Sequence, residues 1–420
     1  MIEKYYEHID ETLFTDKLSN GLTVYYLPKP GRSKTYGIFR TNFGSLDISF
    51  DGKTYPAGIA HFLEHKLFEK EEGDVMLKFG ALGAQTNAFT SFSRTAYLFM
   101  GSENIPENVE LLLNFVQEPY FTEASVHKEQ GIITQEIQMY QDDPDWKLYA
   151  GLLASLYPNS PLAQDIAGTP ESIAEITPEM LYENYRTFYQ PSNMSLFLTG
   201  PFDVNEISAL VRENQAGKEF SAVKIERAPL AFEPAVPFSE ISMEVSDTKL
   251  GLGLRGNNAV EDEEALEYRI SMLIFFAMIF GRTGEFFEEA YKSGLLDDSF
   301  NYEFEYSPQF QCLLITLDTK NPEKLSKILQ EQLKKYKMRS DTNLAHFELL
   351  RRQMLGNYIE SLNSLEHIAN EFVAMPADSS KTLFDVLDVL STITFEKTLK
   401  FAEKFLKDAE TSIFIIRPKN

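Results

Sequence analysis

The stretch Ala57 to Glu69, AGIAHFLEHKLFE, constrains this chain more than any other. An α-helix turns about 100° per residue, so His61, Glu64 and His65 fall within one arc of about 100°. Leu63 and Leu67 project from the opposite side, which predicts a helix buried on its back with three polar groups in front. Two imidazoles one turn apart are what a divalent metal takes from a single helix. The carboxylate between them is placed to take a proton from a water on that metal. The order H-x-x-E-H is the reverse of H-E-x-x-H. With six histidines in 420 residues, it arises by chance in roughly one such chain in a hundred.

A two-histidine helix needs a third protein ligand and an open position for water. Ser125 to Gln141 has helical apolar spacing and stops before Asp142-Asp143-Pro144. Within it Glu129 and Glu136 are two turns apart and share a face. Such a pair is ordinarily a solvated face. Beside His61 and His65 it becomes the candidate source of the missing ligand.

Composition sets the outer bounds. With 43% apolar and 24% charged residues, the chain has ordinary globular values and length for at least two domains. Its 39 Lys and Arg against 63 Asp and Glu give a net charge of −24, which argues against a nucleic-acid partner and allows a preference for basic peptides. A single cysteine, Cys312, excludes an internal disulfide framework and suits a reducing cytoplasm. The start, MIEKYYEHIDETLF, lacks the basic and apolar parts of a secretory signal. The most apolar run, Ile270 to Phe280, is too short for a bilayer, so a core helix and no membrane span are expected.

Strands are expected at Leu18–Tyr26, entered through the Asn20-Gly21 turn, and at Thr35–Asn42. Asp74–Gly83 reads as a helix, and Ala84–Met100 as two strands joined near Ser91 to Ser93. Asn108–Glu118 reads as another helix. Residues 216–240, rich in polar residues and proline, form the expected linker between a domain at 1–215 and another at 241–420. The second half resumes with strands in Glu240–Gly256, a long helix at Glu261–Gly281 and a buried strand at Phe310–Leu317. Helices at Glu323–Tyr336, Leu344–Leu362 and Leu365–Met375 and a strand at Ser412–Ile416 complete it. This order repeats that of the first half without H-x-x-E-H.

These motifs resemble those of the pitrilysin/insulinase-type zinc peptidases, whose short members include mitochondrial processing-peptidase subunits and bacterial relatives. In that family H-x-x-E-H is followed about seventy residues later by two glutamates seven apart, as Glu129 and Glu136 are here. The resemblance implies that His61, His65 and Glu136 bind Zn2+, that Glu64 is the general base, and that Glu129 supports the site from behind. Thr86-Asn87-Ala88-Phe89-Thr90 resembles the family's edge strand, which implies a peptide substrate added as a further strand at Asn87 and Ala88. Gly168-Thr169-Pro170-Glu171-Ser172-Ile173, with Tyr189 to Met194 and Gly200, resembles the signature that closes the first domain. The implied fold is α+β, with two like-folded domains, each a mostly antiparallel sheet packed with helices on one face.

One departure bears on activity. Relatives carry an Arg and a Tyr in the second domain that reach the substrate; the matching stretch here, Phe287 to Asp298, places Tyr291 at the Arg position and an Asp near the Tyr. The expectation is therefore a cytoplasmic zinc endopeptidase for short or unfolded peptides that works with a partner. The partner would be a similar-fold subunit lacking H-x-x-E-H, with a homodimer as the other possibility. The alternative is a non-catalytic, metal-binding structural or regulatory subunit.

Overall fold

The computed structural model describes residues 1–220, 224–375 and 381–419, so residues 221–223 of the expected linker lie outside it. Two compact units are present. The first holds a seven-stranded sheet. Its strands are β1 (Ile2–Tyr6), β2 (Glu11–Lys17), β3 (Thr23–Pro28), β4 (Thr35–Thr41), β5 (Ala84–Thr90), β6 (Thr95–Gly101) and β7 (Met194–Gly200). The spatial order is β1-β2-β3-β7-β4-β6-β5, antiparallel throughout except between β3 and β7.

The strand expected from Leu18 begins later, at Thr23, because Leu18 to Leu22 is spent on the turn: Leu18 N donates to the Leu22 carbonyl at 2.8 Å. The helices α1 (Ile59–Phe68), α2 (Ile105–Gln117) and α3 (Glu123–Gln141) follow, then α4 (Pro144–Leu156) and α5 (Pro178–Phe188). Leu63, Leu112, Ile133 and Leu181 from α1, α2, α3 and α5 join Val24, Tyr26, Phe39 and Leu196 of the sheet in one core.

The second unit repeats the plan with five strands: β8 (Phe238–Met243), β9 (Lys249–Arg255), β10 (Asn301–Ser307), β11 (Phe310–Asp318) and β12 (Glu410–Pro418). Their order is β8-β12-β9-β11-β10, and only β8 and β12 are parallel. This reproduces β3-β7-β4-β6-β5 in order and direction. The helices of this half of the chain are α6 (Ala265–Phe280), α7 (Glu285–Lys292), α8 (Pro322–Lys334), α9 (Leu344–Ser361), α10 (Leu365–Ala374) and α11 (Phe395–Lys407). By length and composition the stretch Asp262–Lys292 could cross a membrane, yet 61% of its most apolar window is buried. Phe275, Phe276 and Ile279 of α6 pack with Leu329 of α8 and Phe405 of α11 in the core of this unit.

Neither unit is continuous in sequence. The chain passes between them at Pro229 and Leu230, inside the expected linker, but residues 139–164, with α4, lie with the second unit, and Ser361 to Met375, with α10, lie with the first. A cut at residues 216–240 therefore leaves each of these helices with the wrong sheet. On the first sheet, Phe372 of α10 stacks on Phe197 at 4.3 Å between ring centroids and meets Tyr25 edge-on at 4.8 Å. Alternation turns Tyr25, Ile38 and Phe197 away from the core that holds Val24, Phe39 and Leu198, so α10 covers the opposite face.

In the second unit, Gly251 and Gly253 on β9 let Leu148, Leu152 and Leu156 of α4 approach the backbone. A buried arginine closes each arrangement. Arg40 donates to the carbonyls of Val373 and Met375, the latter at 2.6 Å, and Arg255 to those of Leu156 and Glu233 at 2.7 and 2.9 Å. Arg40 thus satisfies carbonyls at the C-terminus of α10, and Arg255 the one at the C-terminus of α4, none of which has a partner within its helix.

Candidate metal centre

Local sequence makes α1 a helix and fixes its rotation. Phe62, Leu63 and Leu67 are fully buried, each contributing about 1.5–3 kcal/mol of apolar burial, and this holds the polar arc outward. The helix begins at Gly58, with φ of +88°, in the left-handed region that favours glycine. A Cβ there would collide with the Ala167 carbonyl, and one on Gly168 (φ +81°) with that of Ala57. Ser172 Oγ also donates to the Ala57 carbonyl at 2.9 Å. The same segment receives α3, because Gln130 Nε2 donates to the carbonyls of Ala174 and Ile176 at 3.2 and 3.1 Å. Residues 167–176 thus set α1 and α3 against each other.

That placement brings His61, His65 and Glu136 together, with one ligand atom from each lying within 4.8 Å of the others. His61 Nε2 is 3.8 Å from Glu136 Oε1, and His65 Nε2 is 3.6 Å from Glu136 Oε2. These gaps exceed hydrogen-bond length. A tetrahedral zinc with bonds of about 2.0–2.1 Å separates its ligand atoms by about 3.4 Å. The donor set of two imidazoles and one carboxylate therefore fits such an ion.

Glu129, buried, accepts from His65 Nδ1 at 3.0 Å, which leaves the Nε2 lone pair for a metal. His61 Nδ1 is buried and has no hydrogen-bond partner among the described residues. Burial, with a smaller contribution from His65, lowers the His61 pKa to about 3, so its imidazole is neutral at physiological pH, the form able to bind a metal. Burial also opposes charge on His65, but Glu129, Glu64 and Glu136 outweigh it and raise its pKa.

Glu64 lies beside this cluster with Oε2 accepting from Thr90 Oγ1 at 2.6 Å. Burial raises its pKa to about 7 against the lowering effect of the Thr90 bond. Thr90 ends β5, which among the described residues pairs only with β6 and forms an edge of the sheet. Ser91 N donates to the Arg94 carbonyl at the hairpin tip, so alternation along the ladder turns the main-chain groups of Thr86, Ala88 and Thr90 to the free side. Ala88 N there meets only its neighbour's side chain, Asn87 Oδ1, at 2.9 Å. Thr90's link to Glu64 and the role of residues 167–176 in setting the two helices had no signal in the sequence. Both join positions too distant for any local periodicity to relate.

The second unit places no comparable group among the described residues. Tyr291, on α7, stacks on Phe287 at 5.7 Å and lies half-exposed with its hydroxyl 3.4 Å from Asp298 Oδ1. Lys292 is paired with Glu288.

Two similar α+β units and a two-His, one-Glu cluster in the first define the class, and comparison with known proteins identifies the family. Residues 49–170 match the family described as Insulinase (Peptidase family M16), and residues 175–354 match the Peptidase M16 inactive domain. An uncharacterized zinc protease of Bacillus subtilis (strain 168), YmfH, is 42% identical over 99% of both chains. An M16-like peptidase from Alicyclobacillus acidocaldarius superposes with a TM-score of 0.92 at 35% identity, covering 97% of this chain and 99% of that one. A protease from Helicobacter pylori shares the fold at a TM-score of 0.83 and 18% identity, over 97% and 99% of the two chains. The chain belongs to peptidase family M16.

Proposed function

We propose that this protein is a zinc-dependent endopeptidase acting on short or unfolded peptides, with His61, His65 and Glu136 as zinc ligands and Glu64 as general base. The observation that carries the reading is the convergence of those three ligand atoms beside a carboxylate and a free strand edge. When bound in such a set, zinc lowers the pKa of a coordinated water to about 7 and polarises a carbonyl. Glu64 accepts the attacking water's proton and returns it to the leaving amine. Glu129 holds the His65 ring in its ligating orientation. A peptide adds to β5 through Thr86, Ala88 and Thr90, displacing the Asn87 amide oxygen from Ala88 N.

The partner belongs to the same reading. The sequence resemblance puts Tyr291 at the position of the family's arginine, and a second subunit of similar fold without H-x-x-E-H would supply the missing donors to the developing oxyanion. One such donor is worth about a hundredfold to a thousandfold in rate. The test is Glu64→Gln with metal content and peptide cleavage measured together. We expect full metal and a loss of about a hundredfold or more in turnover. Retained cleavage would remove Glu64 from the role of base. A metal-bound parent without cleavage, alone or with its partner, would favour the non-catalytic subunit, a reading with which the inactive-domain match over residues 175–354 is compatible.

A further inference from the structure

A carboxylate serves as a base efficiently when one oxygen is free and aimed, and here the other is held. Thr90 Oγ1 donates to Glu64 Oε2 at 2.6 Å, a short bond of the kind made to an ionised acceptor. The neighbouring hydroxyl, Thr95 Oγ1, lies 3.3 Å from that of Thr90 and gives its own proton to the Phe43 carbonyl at 2.9 Å. Thr95 therefore does not donate to Thr90, and the Thr90 proton goes to the nearer acceptor, Glu64 Oε2. Thr95 is fully buried and Glu64 nearly so. Thr90 is also the last residue of β5, and its main-chain groups lie on the free edge. One residue therefore touches both the carboxylate and the edge offered to a peptide.

We propose that Thr90 is a positioning residue: it occupies Oε2 of Glu64, leaves Oε1 to take the proton, and ties the carboxylate's orientation to the docking strand. This rests on the reading of Glu64 as the base. The terminal torsion of a glutamate is broad, so a carboxylate released from Thr90 samples orientations that do not transfer a proton. The loss falls on turnover, because an interaction made with the base and not with the peptide leaves binding untouched.

Thr90→Val keeps the shape and removes the hydroxyl, and Thr90→Ser restores it. We expect Thr90→Val to retain zinc and an unchanged KM while kcat falls about ten- to a hundredfold, and Thr90→Ser to recover most of that loss. Crystal structures of zinc-loaded parent and Thr90→Val should show one Glu64 carboxylate orientation in the first and a turned or divided one in the second. An unchanged kcat, an unchanged carboxylate in Thr90→Val, or Thr90→Ser as poor as Thr90→Val would overturn the proposal. So would a rise in KM at constant kcat, which assigns Thr90 to docking alone. Cleavage retained in Glu64→Gln instead removes the base, a result distinct from any change at Thr90.

Discussion

The two units share five strands in one order and direction, yet only the first gathers metal-ligating side chains among the described residues. The helices that follow the corresponding strands β4 and β9 show why. In α1 the polar residues His61, Glu64 and His65 share one arc, whereas in α6 the run from Ile270 to Phe280 carries Ser271 as its single polar residue. A helix apolar all round has no face left for ligands. The fold is thus a scaffold used twice, and chemistry depends on which residues one helix can spare from the core.

The largest expected effect separates the units outright. Glu136→Gln removes a ligand and should abolish zinc occupancy and cleavage together, read by metal analysis of the purified variant. Glu129→Gln should keep most of the metal and cost about ten- to a hundredfold in turnover or affinity, because it only misorients His65. Full occupancy in Glu136→Gln would move the third ligand elsewhere.

A second expectation concerns the site without its metal. Glu64 has a folded-state pKa raised from 4.5 to about 7, so the folded chain favours the protonated form. Its burden on stability is absent below pH 4.5 and grows as pH rises to about 7. His61, lowered from 6.5 to about 3, acts in the opposite direction: stability is lost as pH falls from 6.5 toward 3. Metal-free Glu64→Gln, which cannot ionise, should therefore be more stable than the metal-free parent by about 3 kcal/mol at pH 8. Below pH 4.5 the advantage should vanish. Chemical denaturation at the two pH values checks it, and an equal difference at both would detach the effect from Glu64 ionisation.

The buried arginines test the likeness of the units. Arg40→Met and Arg255→Met should each cost about 2 kcal/mol, by leaving helix-end carbonyls unpaired. Arg255→Met should be the worse, because Glu410 also loses its ion pair with Arg255 at 2.5 Å. Thermal unfolding of the two variants gives the comparison, and no cost at either site would break the equivalence of α4 and α10. The smallest effect is at β5: Ala88→Pro removes an outward N–H, so KM should rise about tenfold with little change in folding. An unchanged KM would place the peptide on another edge.

The sequence by itself determined the elements whose information is local. H-x-x-E-H specified a helix with three groups on one arc, and Glu129 and Glu136 a shared face, because helical periodicity is written within one or two turns. It was silent on β1 and β2, whose residues Ile2 to Lys17 are largely exposed or half-exposed and lack a strong apolar alternation. Only the tertiary structure decided that Glu129 meets His65 Nδ1 while Glu136 faces both Nε2 atoms, that Thr90 holds Glu64, and that α4 and α10 each cover a sheet distant in sequence. Those choices depend on packing between segments far apart in the chain, where steric fit at Gly58, Gly168 and Gly253 and the capping reach of Arg40 and Arg255 decide the outcome and no short-range periodicity carries the information.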